Sequence, residues 1–347
     1  MKQAIIGIFI SIAITLIIVV AVVYHAIVKP LPDNLTELPS VTLHIPQGAS
    51  FSQVLDSLEA QQLIQHPALF RYFAGRTGLD RRMPAGYFKV PKGLTEWQLV
   101  QYLKKPRQAL VKVTLPEGIR TEKMAAILRA RLKIDSARFV QLVYDSSFAR
   151  QLGVPAPTAN GFLMPETYFL PMGLREEKII EILVRPTLNL FAEDSVRQQL
   201  KKLQLTPLQI ITLASIIEGE AQVDSERTLI ASVYYNRLKR GWRLQADPTI
   251  QYLIKDGPRR LTYRDLQIDS PYNTYKYKGL PPGPINNPGK QSILAALFPA
   301  NTRYMYFVAT GDGGHHFSAT LREHNRWKKR FDAYRRQVYR QKRQGHK

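Results

Sequence analysis

From Pro207 to Ile217 the chain reads PLQIITLASII, eleven residues without a charge, and then meets two glutamates divided by one glycine, Glu218 and Glu220. No other segment limits the fold so strongly. Thr206 is a helix N-cap residue, and Pro207 suits the first helical position, where its missing N–H has no partner to lose. The helix that follows is apolar nearly all round, and such a helix belongs inside a core. At about 100° per residue Glu218 and Glu220 lie about 160° apart, so a regular helix does not set them side by side as a carboxylate pair. Glu218 stacks with Ala214, Ser215 and Ala221, a face of small residues, whereas Glu220 shares a stripe with Leu213, Ile216 and Ile217. A carboxyl group at the edge of a core loses solvent. That disfavours its charged form and raises its pKa, as a general acid near neutral pH requires. From these residues alone, a solvated helix end is the competing reading.

A second uncharged run, Ala4 to Val23, is long enough to cross a bilayer, since about 20 residues at 1.5 Å each span a hydrocarbon core of roughly 30 Å. It exceeds the apolar stretch of a secretory signal peptide and ends at Tyr24 and His25 rather than at small residues. Residues 1–29 therefore read as a transmembrane anchor. The short head offers nothing to fold, which places the large domain outside. Residues 30–40, with three prolines and no apolar period, read as a linker. The 347 residues carry 49 Lys and Arg against 27 Asp and Glu, a net charge of +22, so anionic partners are expected. Cysteine is absent, which excludes disulfides and thiol chemistry.

Beyond Val41 one pattern is written three times: an alternating stretch (VTLHI, AGYFKV, VKVTL), a P-x-G turn at Pro46, Pro91 and Pro116, and a helical run. Ser50 with Gln53, and Thr95 with Gln98, have capping-box spacing; the third copy offers Thr121 with Met124, an incomplete box. Small strand-turn-helix units of this kind resemble glycan-binding LysM modules, and a subdomain without a ligand is the alternative. Residues 136–205 read as helical, broken once at 154–173, where Pro, Gly and aromatic residues crowd around Glu166. That break reads as the lining of a cleft, with Glu166 either in it or capping the next helix.

After the apolar helix comes a second one, capped at Ser225 and ending at Gly241, then a turn bearing Gln245 and Asp247 ahead of Pro248. DSPYNTYKYKGLPPGPINNPG and YMYFVATGDGGHHF follow. His315, His316 and His324 match no standard zinc spacing, so no metal is expected. The tail from Arg322 has 11 Lys or Arg and two acids; beside a membrane it reads as a basic helix facing anionic lipid or wall polymer rather than nucleic acid.

Taken in order, ASIIEGEA, LQADPT, YNTY with GLPPGPINNPG, and YFVA with the glycine-rich H-F turn resemble the endolytic murein transglycosylases, the YceG-like family, over nearly the whole chain. The resemblance implies an α+β fold: an N-terminal transmembrane helix, a LysM-like subdomain at 41–110, a mixed α/β catalytic domain at 111–330 and a basic tail at 331–347. It implies a single-pass protein of the bacterial inner membrane with its catalytic domain on the periplasmic side, a lytic transglycosylase needing no cofactor. Its substrate would be the glycan strands of peptidoglycan, cut between N-acetylmuramic acid and N-acetylglucosamine with 1,6-anhydro ends left behind. Cell-wall synthesis proteins are the expected protein partners, and nucleic acid is not. The family's catalytic acid falls on Glu218. Glu166, Glu220, Gln245, Asp247, Tyr272, Asn273 and Thr274 take substrate-binding or supporting roles. Asn160 stands where the family pattern has a glutamate. A catalytically silent, membrane-anchored glycan-binding or scaffold protein is the alternative.

Overall fold

The computed structural model describes residues 13–18, 20–21, 24, 30–254 and 257–344, with side chains as far as 336. Most of the apolar run at 4–23 lies outside the described residues. Among those described, no helix is long and apolar enough to cross a membrane. The fold is α+β and divides into two compact units, the first running to Val111 and including Leu170–Gly173, the second made of Lys112–Phe169 and the chain from Leu174 onward.

In the first unit β1 (Ser40–Ile45), α1 (Phe51–Ala60), α2 (Pro67–Thr77), β2 (Gly86–Pro91) and α3 (Glu96–Lys104) follow one another. The strands pair antiparallel, Ser40 opposite Pro91 and Ile45 opposite Gly86. Alternation turns Leu43 and Ile45 of β1, and Phe88 and Val90 of β2, into a core shared with Val54, Leu58, Phe70, Leu99 and Leu103. Residues 30–40, expected as a plain linker, are laid on this unit instead. Leu31 and Leu35 pack against the core, and Gln98 Nε2 donates to the Pro30 carbonyl at 2.7 Å. Apolar residues scattered among prolines do this without any periodic signal.

Among the described residues the P-x-G unit occurs four times, not three. Besides β1 and β2, it joins β3 (Leu110–Thr114) to α4 (Thr121–Leu132), and, after α5 (Ser136–Tyr144) and α6 (Ser146–Gln151), it joins β4 (Thr167–Pro171) to α7 (Glu176–Ala192). In each, the glycine (Gly48, Gly93, Gly118, Gly173) has φ between 69° and 82°, a left-handed turn that L side chains resist. In each, the N-cap stands four residues after the proline: Ser50, Thr95, Arg120 and Arg175. Both expected capping boxes form. In the third copy the cap is Arg120, not Thr121, which moves to the first helical position and is buried there. The break at 154–173 thus contains a strand and a turn of the repeated kind.

The second unit continues with α8 (Asp194–Leu203), α9 (Pro207–Glu220), α10 (Arg227–Lys239), α11 (Asp247–Leu253), α12 (Lys290–Leu297), the antiparallel hairpin β5 (Tyr306–Ala309) and β6 (His315–Ser318), and α13 (Leu321–Gln344). Helix α9 is its centre. Every residue from Ile210 to Ile217 is buried, and the helix packs on α10, α11 and α12. Its start carries a full capping box: Thr206 Oγ1 accepts from the Gln209 N–H, and the Gln209 side chain accepts from the Thr206 N–H. Ser225 does not cap the next helix. It lies in a 3₁₀ turn, Asp224–Glu226, and α10 begins at Arg227.

Candidate active site

Glu218 ends the buried stretch of α9 with a side chain only 6% exposed. Its Oε1 accepts from Arg227 Nη1 at 3.1 Å, and its Oε2 accepts from the Gly289 backbone N–H at 2.9 Å. The guanidinium is 8% exposed and also donates to Asp224 Oδ1 at 3.0 Å and to Ser292 Oγ. Two charges removed from water in this way hold only because each finds its partners.

The small face of α9 explains how a backbone amide reaches Glu218. Ala214 and Ser215 leave room for the loop that precedes α12. Ser215 Oγ accepts from the Ile285 N–H at 3.1 Å, and its carbonyl accepts from Asn286 Nδ2 at 2.9 Å. One residue on, the fully buried Asn287 takes the Gly161 N–H at 2.9 Å and donates to the Ile119 carbonyl at 3.1 Å. Its carbonyl in turn accepts from the Gly118 N–H at 3.0 Å. Loop, P-x-G turn and α9 are therefore tied together by one hydrogen-bond network, and that network aims the Gly289 N–H at Glu218. Asn160, in place of an acid, belongs to this scaffold: its Oδ1 accepts from the Thr121 hydroxyl at 2.8 Å and its Nδ2 donates to the Pro284 carbonyl at 3.3 Å.

Glu220 faces the other way. Its Oε1 accepts from the Tyr234 hydroxyl at 2.8 Å, and burial pushes its carboxyl up to about 7, with Asp247 adding to the rise while Tyr234 and Arg237 oppose it. The glycine between the two glutamates is required by a close approach. A Cβ on Gly219 would stand 2.6 Å from Cβ of Pro248, so only glycine lets the first turn of α11 lie against the end of α9. That contact brings Asp247, held by the Tyr275 hydroxyl, beside Glu220.

A cleft of about 880 Å³ opens here, lined among others by Gly118, Arg120, Lys123, Gly219, Glu220 and Asp247. A larger groove of about 1080 Å³ between α4 and α5 holds none of the expected residues. Arg120 donates to the Gln251 carbonyl at 2.7 Å and lies over the Tyr252 ring, which packs against Tyr272 at 4.9 Å between centroids.

Other expected residues fix loops. Asn273 Nδ2 ties the carbonyls of Leu266 and Ile268, and Thr274 Oγ1 receives the Ala246 N–H at 3.0 Å. Gln245 is exposed, held in a left-handed conformation by a backbone bond to Thr274. Glu166 is exposed too; its carbonyl accepts from the Leu115 N–H, and among the described residues no hydrogen bond or ion pair joins its side chain to Glu218. His315 pairs with Glu226 at 2.7 Å and His316 with Glu323 at 3.3 Å. Arg227, Asn287, the Gly289 N–H and Glu117 were not anticipated. Arg227 alone was within reach of a local argument, nine residues after Glu218.

The YceG-like family model matches residues 43–330. A Bacillus subtilis protein named endolytic murein transglycosylase is 34% identical, over 84% of this chain and 85% of its own length. A Streptococcus pneumoniae protein of the same name is 28% identical over 85% of this chain, which spans 59% of that longer protein. A crystal structure of a yceG-like protein from Listeria monocytogenes is 33% identical and superposes with a TM-score of 0.57, covering 83% of this chain and 98% of that one.

Proposed function

The chain belongs to the YceG-like family, and from that premise we propose that it is an endolytic lytic transglycosylase of peptidoglycan, cutting between N-acetylmuramic acid and N-acetylglucosamine. In this reading Glu218 gives its proton to the bridging oxygen as the bond to the anomeric carbon breaks. The muramic 6-hydroxyl then closes on that carbon, and its proton passes to the Glu218 carboxylate. Nothing is consumed, and a 1,6-anhydro end remains. Attack from within the same sugar supplies the nucleophile at high effective concentration, so the second carboxylate of an ordinary glycosidase is not needed.

The observation that supports this reading is the setting of Glu218: a carboxyl nearly buried at the end of a helix, with both oxygens held by donors, just behind a cleft wall that Gly118 and Gly219 line and Glu218 itself does not. Two donors on the carboxylate suit its second task, accepting the hydroxyl proton.

The β1-α1-α2-β2 order of the first unit, with its strands antiparallel, supports reading that unit as a LysM-like glycan-binding module. The uncharged run at 4–23 supports a single-pass anchor in the inner membrane with the catalytic domain on the periplasmic side, where peptidoglycan lies. Cell-wall synthesis proteins are the partners this placement calls for.

Incubation of the purified protein with sacculi, read by mass spectrometry, tests the proposal. Anhydro-muramic ends are expected, and Glu218→Gln should reduce their release by about 10²–10⁴-fold, the usual contribution of a general acid. Undiminished release by the variant removes Glu218 from the role. Reducing ends would make the protein a hydrolase, and glycan binding without cleavage would favour a catalytically silent scaffold.

A further inference from the structure

Glu117 is the middle residue of the third P-x-G turn and has no part in the reaction as described above. Its side chain is 46% exposed, yet the carboxyl lies across Gly289: a Cβ there would stand 2.0 Å from Glu117 Oε1. Gly289 is the residue whose N–H donates to Glu218. On its other side Glu117 Oε2 is 3.6 Å from Arg227 Nη2, while Nη1 of the same guanidinium holds Glu218. One cation therefore bridges two carboxylates through its two terminal nitrogens, and Asp224 takes its Nε. The charged groups acting on Glu117 are Glu218 on α9, Arg227 at the start of α10 and Asp224 just before it. Burial, then Glu218 and Asp224, push its carboxyl up, and Arg227 opposes them.

We propose that Glu117 is a positioning residue for Glu218, dividing the charge of Arg227 so that Glu218 can cycle between acid and carboxylate, and covering the Gly289 peptide that orients it. The inference rests on the transglycosylase reading. A general acid must be reloaded after each proton it gives. The larger a carboxylate's share of a buried guanidinium, the more it resists reloading, because the paired charged form is favoured. With three carboxylates around one cation the cluster stays net negative, and uptake of a proton relieves repulsion.

The test uses the full chain purified in detergent, with wild type, Glu117→Gln and Glu117→Asp assayed on isolated glycan strands across the pH range of activity. Thermal melting is followed in parallel. Glu117→Gln, nearly isosteric, should keep the melting temperature and KM, lose about tenfold in kcat near neutral pH, and move the alkaline limb of the pH profile to lower pH, as loss of one nearby negative charge would. Glu117→Asp should recover most of the rate. A Gln variant with unchanged kcat and pH profile overturns the inference. So does an equal loss at every pH with lowered melting, since that is a structural role only. A wild type that releases no anhydro ends overturns the transglycosylase reading itself, a failure visible before any variant is compared.

Discussion

Glu218 and Glu220 stand two residues apart on one helix end, and their surroundings differ in kind. Glu218 has two donors, a guanidinium nine residues on at the start of the next helix and a backbone amide brought in by long-range folding. Glu220 has a tyrosine hydroxyl, with a second carboxyl, Asp247, as neighbour. Losing water without gaining a paired cation drives a carboxyl toward its neutral form, and Glu220 is pushed up to about 7. The two side chains show that burial by itself does not decide how a carboxyl is held. What the helix spacing decided was only that they would look in different directions.

The comparison breaks most severely at Arg227. Replacing it by Gln leaves Glu218 buried with no cation, and a loss of about 3–5 kcal/mol in denaturant-measured stability is expected. Adding Glu218→Gln should return a good part of that loss; additive losses would mean that the pair is not coupled.

Glu220 gives the next largest effect, and its sign is opposite to the usual carboxylate case. Its folded pKa of about 7 lies above the ordinary value of 4.5, so between those values the folded state holds more protons than the unfolded one, and stability falls as pH rises. Over that window the wild type should lose about 3 kcal/mol, and Glu220→Gln should flatten the slope in chemical denaturation series. A wild type as stable at pH 7 as at 4.5 would refute this account of Glu220.

Gly219→Ala is expected to have the smallest effect. Alanine favours helix by about 1 kcal/mol, but its Cβ would press on Pro248, and overpacking costs about 1–3 kcal/mol, so a net loss of up to about 2 kcal/mol is expected in thermal melting. By pushing α11 away it should also weaken the pH dependence that Glu220 confers, leaving the Glu218 side intact.

Local chemistry explains which parts of this arrangement could be read in advance. The central helix was legible because cap, proline and uncharged run agree over Thr206–Ile217, and the first two P-x-G turns because their boxes have fixed spacing. The fourth turn was hidden by its setting: the density of proline, glycine and aromatic residues before it reads as irregular chain, and Arg175 gives no capping signal. Thr121 was misplaced by one residue because the turn, not the side chain, sets where the helix begins. The second partner of Glu218 was invisible for a different reason. Gly289 contributes a backbone N–H, which no residue type announces, from 71 positions away.

The repeated turn has a consequence for anyone redesigning this protein. Proline and glycine define the corner, while the residue between them is Gln47, Lys92, Glu117 or Met172, a neutral amide, a cation, an anion and a thioether on one backbone geometry. The corner is indifferent to its occupant. It works as a socket with standard fittings, and new chemistry can be plugged in at any of four places without rewriting the strand before it or the helix after it.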